Sequence, residues 1–226
     1  SPDWHRARVI SSQPRFLFTM SPQSRLGYYE GWQRYGVRVH SLPLACDLAL
    51  YGYPEKFDCF SDVNIGFVGG FWPYKARQFD LYLKPHAAHM TVFGYSPWPY
   101  GRYGGQLPLE REASLYAQAK VSPVINEPHV CSMGVDINER VFKVLGAGGL
   151  AITDACTGYR DLFNADELLV PDSLEHFHEL IEAAMRGDPA LSGIRERGRQ
   201  AVLARHTYRH RAESFLSYLH ASGLAV

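Results

Sequence analysis

SMGVDINERVFKVLGAGGLAITD, running from Ser132 to Asp154, holds a helix start signal, an apolar helical face, a glycine-rich stop and a strand in one short span. Asp136 is followed three residues later by Glu139, the D-x-x-E spacing of a capping box, so a helix is expected to start here. Val141, Phe142, Val144 and Leu145 give that helix an apolar face. The Gly146–Gly149 cluster ends it, and Leu150 to Thr153 is a short apolar run of the buried-strand type, closed by the polar Asp154.

Charge is unusual in this span. Arg140 and Lys143 lie three apart in the first two helical turns, where the helix dipole already supplies positive potential. Cations there are explained in one of two ways. Either they are ordinary solvated surface residues, or an anion such as a phosphate binds at the helix N-terminus, where unpaired N–H groups point outward.

The chain has 226 residues, enough for a well-buried core in one or two domains. Its 23 basic and 23 acidic side chains cancel, so no global charge argues for nucleic acid or an anionic membrane. Cys46, Cys59, Cys131 and Cys156 are widely spaced, with no C-x-x-C pair, and read as reduced thiols of a cytoplasmic protein. No apolar run approaches the ~18 residues of a membrane span. Aromatic residues gather in Pro- and Gly-rich loops, Phe71-Trp72-Pro73-Tyr74 and Tyr95-Ser96-Pro97-Trp98-Pro99-Tyr100. Such rings either form flat contact surfaces for sugars or bases or cap the core.

From the start, Arg15 to Met20 is a strand candidate, Ser24 to Tyr35 a helix closed by Gly36, and Val37 to Leu44 a second strand that meets a proline. Residues 1–60 read as one α/β segment and a connection rather than a domain, and 61–226 as the main domain. That domain opens on VNIGFVGG, a strand ending in a glycine pair, and continues into a helix through Ala76, Phe79, Leu81, Tyr82 and Leu83. Strand, glycine turn and helix aim backbone N–H groups at a phosphate, with Lys75 and Arg77 at hand; packing and solubility explain the same residues otherwise. Met90 to Phe93, ending at Gly94, is another strand. Pro108 to Ala119 is a helix, and Lys120 to Ile125 a strand opening into an Asn126-Glu127-Pro128-His129 loop. Glu167 to Val170 reads as a last strand, followed by helices over Ser173 to Arg186, Pro189 to His206 and Tyr208 to His220. Alternating strands and helices predict an α/β fold with a parallel sheet covered on both faces, its ligand loops beyond the carboxyl ends of the strands.

This order of motifs resembles the C-terminal, donor-binding domain of group 1 glycosyltransferases of the GT-B fold, and within them the CgeB-like spore-maturation branch. The group 1 pattern V-G-R-L-x-x-x-K is similar to Val68-Gly69-Gly70-Phe71-Trp72-Pro73-Tyr74-Lys75, and NERVFKVLGAGGLAITD to the branch's R-x-F-E-x-x-A-C-G-x-x-x-x-T-D block. GRQAVLARHTYRHRAESFL is similar to its closing helix. The resemblance implies a Rossmann-like sheet with C-terminal helices and transfer of a sugar from a nucleoside-diphosphate sugar to an acceptor it does not identify. It makes residues 1–60 the remnant of an N-terminal α/β domain with its linker. It implies a diphosphate site of Gly69, Gly70, Lys75, Asn138, Arg140 and Lys143, with Phe93, Gly94, Leu107, Glu127 and His129 toward base or sugar. No cofactor, metal or nucleic acid is expected, and no D-x-D pair is present. The chain departs from the pattern where the family carries an arginine (here Gly70) and two glutamates (here Val135 and Lys143).

Two other readings remain at this stage. Gly146-Ala147-Gly148-Gly149-Leu150-Ala151 also satisfies G-x-G-x-x-A, a nicotinamide-dinucleotide fingerprint, with Asp166 as a ribose acid. It requires the glycines to open a helix rather than close one. A non-catalytic nucleotide- or sugar-binding module is the other. His129 and His206 are each either structural hydrogen-bonders or cleft residues.

Overall fold

The computed structural model describes residues 7–8, 11–54 and 60–223, so Cys59 lies outside the described residues. Five strands form the main sheet: β3 (Ile65–Val68), β4 (Met90–Phe93), β5 (Arg102–Tyr103), β6 (Ser122–Val124) and β7 (Ala151–Thr153). Every pairing is parallel. Gly66 N donates to Val121 O at 3.0 Å and Val121 N to Asn64 O at 3.1 Å, which joins β3 to β6 and gives the order β5-β4-β3-β6-β7. All five carboxyl ends therefore share one edge.

β3 is IGFV and β7 is AIT, short apolar runs buried on both faces as a covered parallel sheet requires. One face packs on α4 (Leu109–Gln118), α6 (Glu139–Gly146) and α8 (Ser192–Arg205), through Tyr116, Val141, Phe142, Leu145, Ala201 and Val202. The other packs on α3 (Ala76–Tyr82) and α7 (Leu174–Arg186), through Phe79, Phe177 and Ile181 against Ile65, Phe67 and Ile152. Val141, Phe142, Val144 and Leu145 are fully buried, each worth about 2 kcal/mol of hydrophobic transfer. The α/β sheet with helices on both faces thus follows from the expected periodicity.

A separate parallel pair, β1 (Phe16–Thr19) and β2 (Arg38–Ser41), lies against the last helix, α9 (Tyr208–Ala221). Phe18 meets Phe215 with ring centroids 4.7 Å apart, and His40 stacks on Tyr218 at 4.2 Å. Downstream of this pair come α2 (Leu48–Tyr51) and the residue before it, Asp47, whose carboxylate caps that helix. Cys46 ties this segment to the C-terminal helices, accepting from Tyr208 N and donating to His206 O.

Several local expectations are corrected. Asp136 does not cap α6: it has φ +55 and lies outside the helix, while the Asn138 side chain accepts from Arg140 N at 2.9 Å. Glu139, the would-be partner of a capping box, is drawn instead to Lys143 and to Tyr208. A capping box does occur at α9, between Thr207 and His210. Ser24 to Tyr35 is a 3₁₀ segment, Gln23–Tyr29, followed by the single turn α1 (Glu30–Gln33); Gly27 and Gly31 weaken a continuous helix. The loop after β6 contains a short helix, α5 (Pro128–Met133), which Pro128 opens at its first position. Glu167 to Val170 is not a strand but supplies a single bridge from Leu169 to Ile152.

The glycine cluster shows which way its motif runs. α6 precedes it and β7 follows it, the reverse of the strand-to-helix order that the dinucleotide fingerprint needs, and Asp166 is paired with Arg197. Gly149 is a packing glycine: a Cβ there would lie 2.4 Å from the backbone oxygen of Tyr116 and 2.9 Å from Val144. Gly149→Ala is expected to cost about 2–3 kcal/mol by overpacking α4 against the sheet, read as a melting temperature lowered by roughly 4–10 °C in a circular dichroism melt.

Candidate functional site

At the shared strand edge, the turns after β3 and β4 touch through glycine backbones. Gly69 N donates to Phe93 O at 2.8 Å, and a Cβ on Gly94 would lie 2.7 Å from Gly69 O. Gly69 has φ +155, and a Cβ there would stand 3.1 Å from Arg140 Nη2. The glycine turn thus lets a guanidinium lie directly against the backbone. Trp98 Nε1 closes the other side by donating to Gly69 O at 3.0 Å.

Two cations converge on this edge from opposite directions. Arg140, in the first turn of α6, donates from Nη2 to Val68 O at 2.8 Å and lies 4.6 Å over the Phe67 ring. Lys75, just before α3, is buried; its Nζ donates to Ile125 O at 2.8 Å and pairs with Glu127 Oε1 at 3.3 Å. Each therefore binds a carbonyl at the end of one of two adjacent strands. Burial lowers the Lys75 pKa, Glu127 counteracts this, and Arg140 is near enough to lower it further. Arg140 Nη1 and Glu127 Oε2 are buried without a hydrogen-bond partner. A buried donor and a buried acceptor left unspent at one strand edge leave capacity for a polar ligand.

Beneath these cations runs a buried polar chain. Asp154, fully buried, accepts from Asn126 N at 2.9 Å, from Asn126 Nδ2 at 2.6 Å and from Cys131 Sγ at 3.2 Å. Burial raises its pKa, and the Asn126 bonds pull it back. Tyr159 OH donates to Asn126 Oδ1 at 2.7 Å and accepts from Asn138 N at 3.3 Å. Asn138 then caps Arg140 N. The tips of β6 and β7 are in this way connected to the N-terminus of α6.

Of the residues expected at the site, Gly69, Gly70, Lys75, Asn138, Arg140, Phe93, Gly94 and Glu127 occupy this edge. Leu107 packs with Phe93 beside it. Lys143 goes elsewhere: it pairs with Glu139 at 3.0 Å and lies 5.3 Å over Tyr51, because a carboxylate four residues back offers the nearer partner. His129 is exposed on α5. His206 is structural, its Nε2 donating to Leu162 O at 3.0 Å and its Nδ1 accepting from Arg211 at 3.0 Å. Sequence reasoning misses Asn126 as the partner of Asp154, and Tyr159 as the partner of Asn126. The available signal was two polar residues, each just past one of two neighbouring strands. Among the described residues, no group of three or more His, Cys, Asp or Glu side chains is placed to hold a metal ion, and no helix is long and apolar enough to cross a membrane.

A covered parallel sheet with glycine turns and cations at its carboxyl edge defines a Rossmann-like nucleotide-binding class of protein. Residues 76–217 match the glycosyl transferase-like family, and the chain belongs to it. Solved structures agree on a GT-B glycosyltransferase fold. Sucrose-phosphate synthase from Thermosynechococcus elongatus superposes with a TM-score of 0.65 at 19% identity, over 91% of this chain and 58% of that one. An alpha,alpha-trehalose-phosphate synthase (UDP-forming) from Burkholderia vietnamiensis gives 0.65 at 10% identity, over 92% and 59%. Anabaena HepE in complex with UDP-glucose gives 0.65 at 10% identity, over 92% and 64%. The chain thus spans about three fifths of the length of these structures. Among curated proteins, none matches the sequence.

Two outcomes test this arrangement. Asp154→Ala strands both Asn126 donors and is expected to cost about 3 kcal/mol, a melting temperature lower by roughly 6–12 °C. For His206, burial first and Arg211 second depress the pKa from 6.5 to about 4. The unfolded chain therefore binds a proton that the folded chain does not, so this contribution is complete above pH 6.5 and is lost as pH falls from 6.5 toward 4. Denaturant melts across that range should show a shallower acid loss in His206→Gln than in wild type.

Proposed function

We propose that the chain binds a nucleoside-diphosphate sugar and transfers its glycosyl group to an acceptor. In this reading residues 61–226 form the donor domain and 1–60 the end of a preceding α/β domain, within the CgeB-like branch of the family. The observation that carries the proposal is the convergence of Arg140 and Lys75 on one strand edge, each tied to a carbonyl at a neighbouring strand end, with Arg140 against the glycine turn. A diphosphate at Gly69 and Gly70 would meet the Arg140 guanidinium, whose Nη1 is uncommitted, and the positive end of α6.

The chemistry then follows from charge. Breaking the bond from the anomeric carbon to the diphosphate leaves negative charge on the departing oxygens, and fixed cations in a partly desolvated site stabilise that charge more than water does. Side-chain cations serve here where other enzymes use a metal, and no cofactor takes part. Sugar contacts differ from the family's, because Val135 is buried and Lys143 is paired with Glu139. Glu127, held by Lys75 with its Oε2 free of partners, takes the place of a hydroxyl-binding carboxylate. Cys46, Cys131 and Cys156 are free thiols, which favours a reducing, cytoplasmic setting. The loss of both family glutamates supports a second reading, a donor-binding module without transfer; slow hydrolysis of the bound donor separates the two.

At a UDP concentration about 100 times its dissociation constant, wild type is expected to gain about 2.7 kcal/mol, or roughly 5–10 °C in a thermal-shift assay. Arg140→Ala should lose most of that gain and Lys143→Ala little. An equal response in Arg140→Ala and wild type would overturn the assignment.

A further inference from the structure

We propose that the acceptor is a carbohydrate, and that it docks on an exposed aromatic platform formed by Trp72, Tyr74 and Tyr95 at the mouth of the glycine turn. This rests on the donor reading of that turn. The two aromatic loops divide sharply in the fold. Phe71, Trp98 and Tyr100 turn inward, with Phe71 5.3 Å from Trp98, 5.5 Å from Phe79 and 6.1 Å from Tyr100 between ring centroids. Trp72, Tyr74 and Tyr95 remain 55%, 63% and 90% exposed. Leaving three large rings in water at one place forgoes burial worth about 1.5–3 kcal/mol for a large apolar side chain, so their exposure calls for a use.

Their position supplies it. The edge of the Trp72 indole lies on Gly70, where a Cβ would come within 3.3 Å of the ring, and Gly69 beside it touches Arg140. Tyr95 follows Gly94, whose backbone packs on Gly69. The rings therefore border the place where a donor's phosphates would lie, within reach of the sugar those phosphates carry. Trp72 and Tyr74 lie close to parallel, with ring centroids 6.4 Å apart and 27° between planes. Sugar rings suit exposed aromatic faces of this kind: the C–H groups of a pyranose face carry partial positive charge, and an aromatic face is negative. Pro73, between them, fixes its own φ and holds Trp72 extended at φ −100, ψ 125, so the platform is set before a ligand arrives and little ordering entropy is lost on binding.

The test uses the intact chain on an array of immobilised oligosaccharides, with the best-retained one titrated in solution by calorimetry and UDP titrated separately. The expected result is retention of at least one oligosaccharide, weakened about tenfold or more by Trp72→Ala or Tyr74→Ala, with the UDP response of both variants unchanged. Both side chains are exposed, so their loss should leave the melting temperature near wild type. Retention of no oligosaccharide above the level of the Trp72→Ala/Tyr74→Ala double variant, with UDP still stabilising the chain, overturns the platform and leaves the donor reading standing. An equal loss of UDP affinity in Trp72→Ala assigns the rings to the nucleotide and also overturns it. Platform-dependent retention without any UDP response supports the platform and removes the donor reading.

Discussion

The carboxylate of Asp154 is the interaction on which the rest of the site depends. It is fully buried and accepts three bonds, two of them from Asn126. A buried carboxyl group of this kind is tolerated only when its oxygens are met, and the sheet meets them by placing β6 beside β7. Through Asn126, Tyr159 and Asn138 the same bonds fix where α6 begins relative to the strand tips. Arg140 is the second residue of that helix. A shift in the cap would carry its guanidinium away from Val68 O, so the polar chain beneath the surface sets the reach of the cation above it.

Carbonyl groups left at element ends are met by cations elsewhere in the chain as well. Arg195 donates to the oxygens of Ala117, Ala119 and Lys120 at the end of α4, and Arg199 to those of Gly146 and Gly52. Arg211 reaches Pro43 O and Leu44 O, and so holds the β1–β2 segment against the last two helices. Arg195 and Arg199 answer the unpaired carbonyls that every helix leaves at its C-terminus, and Arg211 answers those past a strand. Arg140 and Lys75 use the same chemistry at strand ends, but Arg140 keeps one nitrogen free. In the donor reading proposed above, that spare nitrogen is the one a diphosphate would meet.

The fold was legible because its signals are local. Val141, Phe142, Val144 and Leu145 repeat at helical spacing, Gly146 to Gly149 follow them as a helix stop, and the apolar run Leu150 to Thr153 fits a short buried strand. Charge was legible only in part. Arg140 and Lys143 share a helix side on paper, yet side chains of this length take their nearest partner, and Glu139 holds Lys143. Asn126 and Asp154 are 28 residues apart, and nothing short of the strand pairing shows that they touch. Asp136 misled because its spacing to Glu139 is that of a cap, while Asn138 stood closer to the first helical amide.

The split within Phe71-Trp72-Pro73-Tyr74-Lys75 shows how one short segment serves core and surface together. Phe71 and Lys75 point inward, to Trp98 and to Glu127, while Trp72 and Tyr74 point out. Period alone does not produce this pattern, since the segment passes from extended backbone into a 3₁₀ turn at Pro73. Proline imposes that change by fixing its own φ and excluding helix from the residue before it. With Phe71 and Lys75 pinned inside, the loop has little freedom to fold its remaining rings onto the core. The packing that places the buried cation is the same packing that holds two aromatic faces toward solvent at the strand edge.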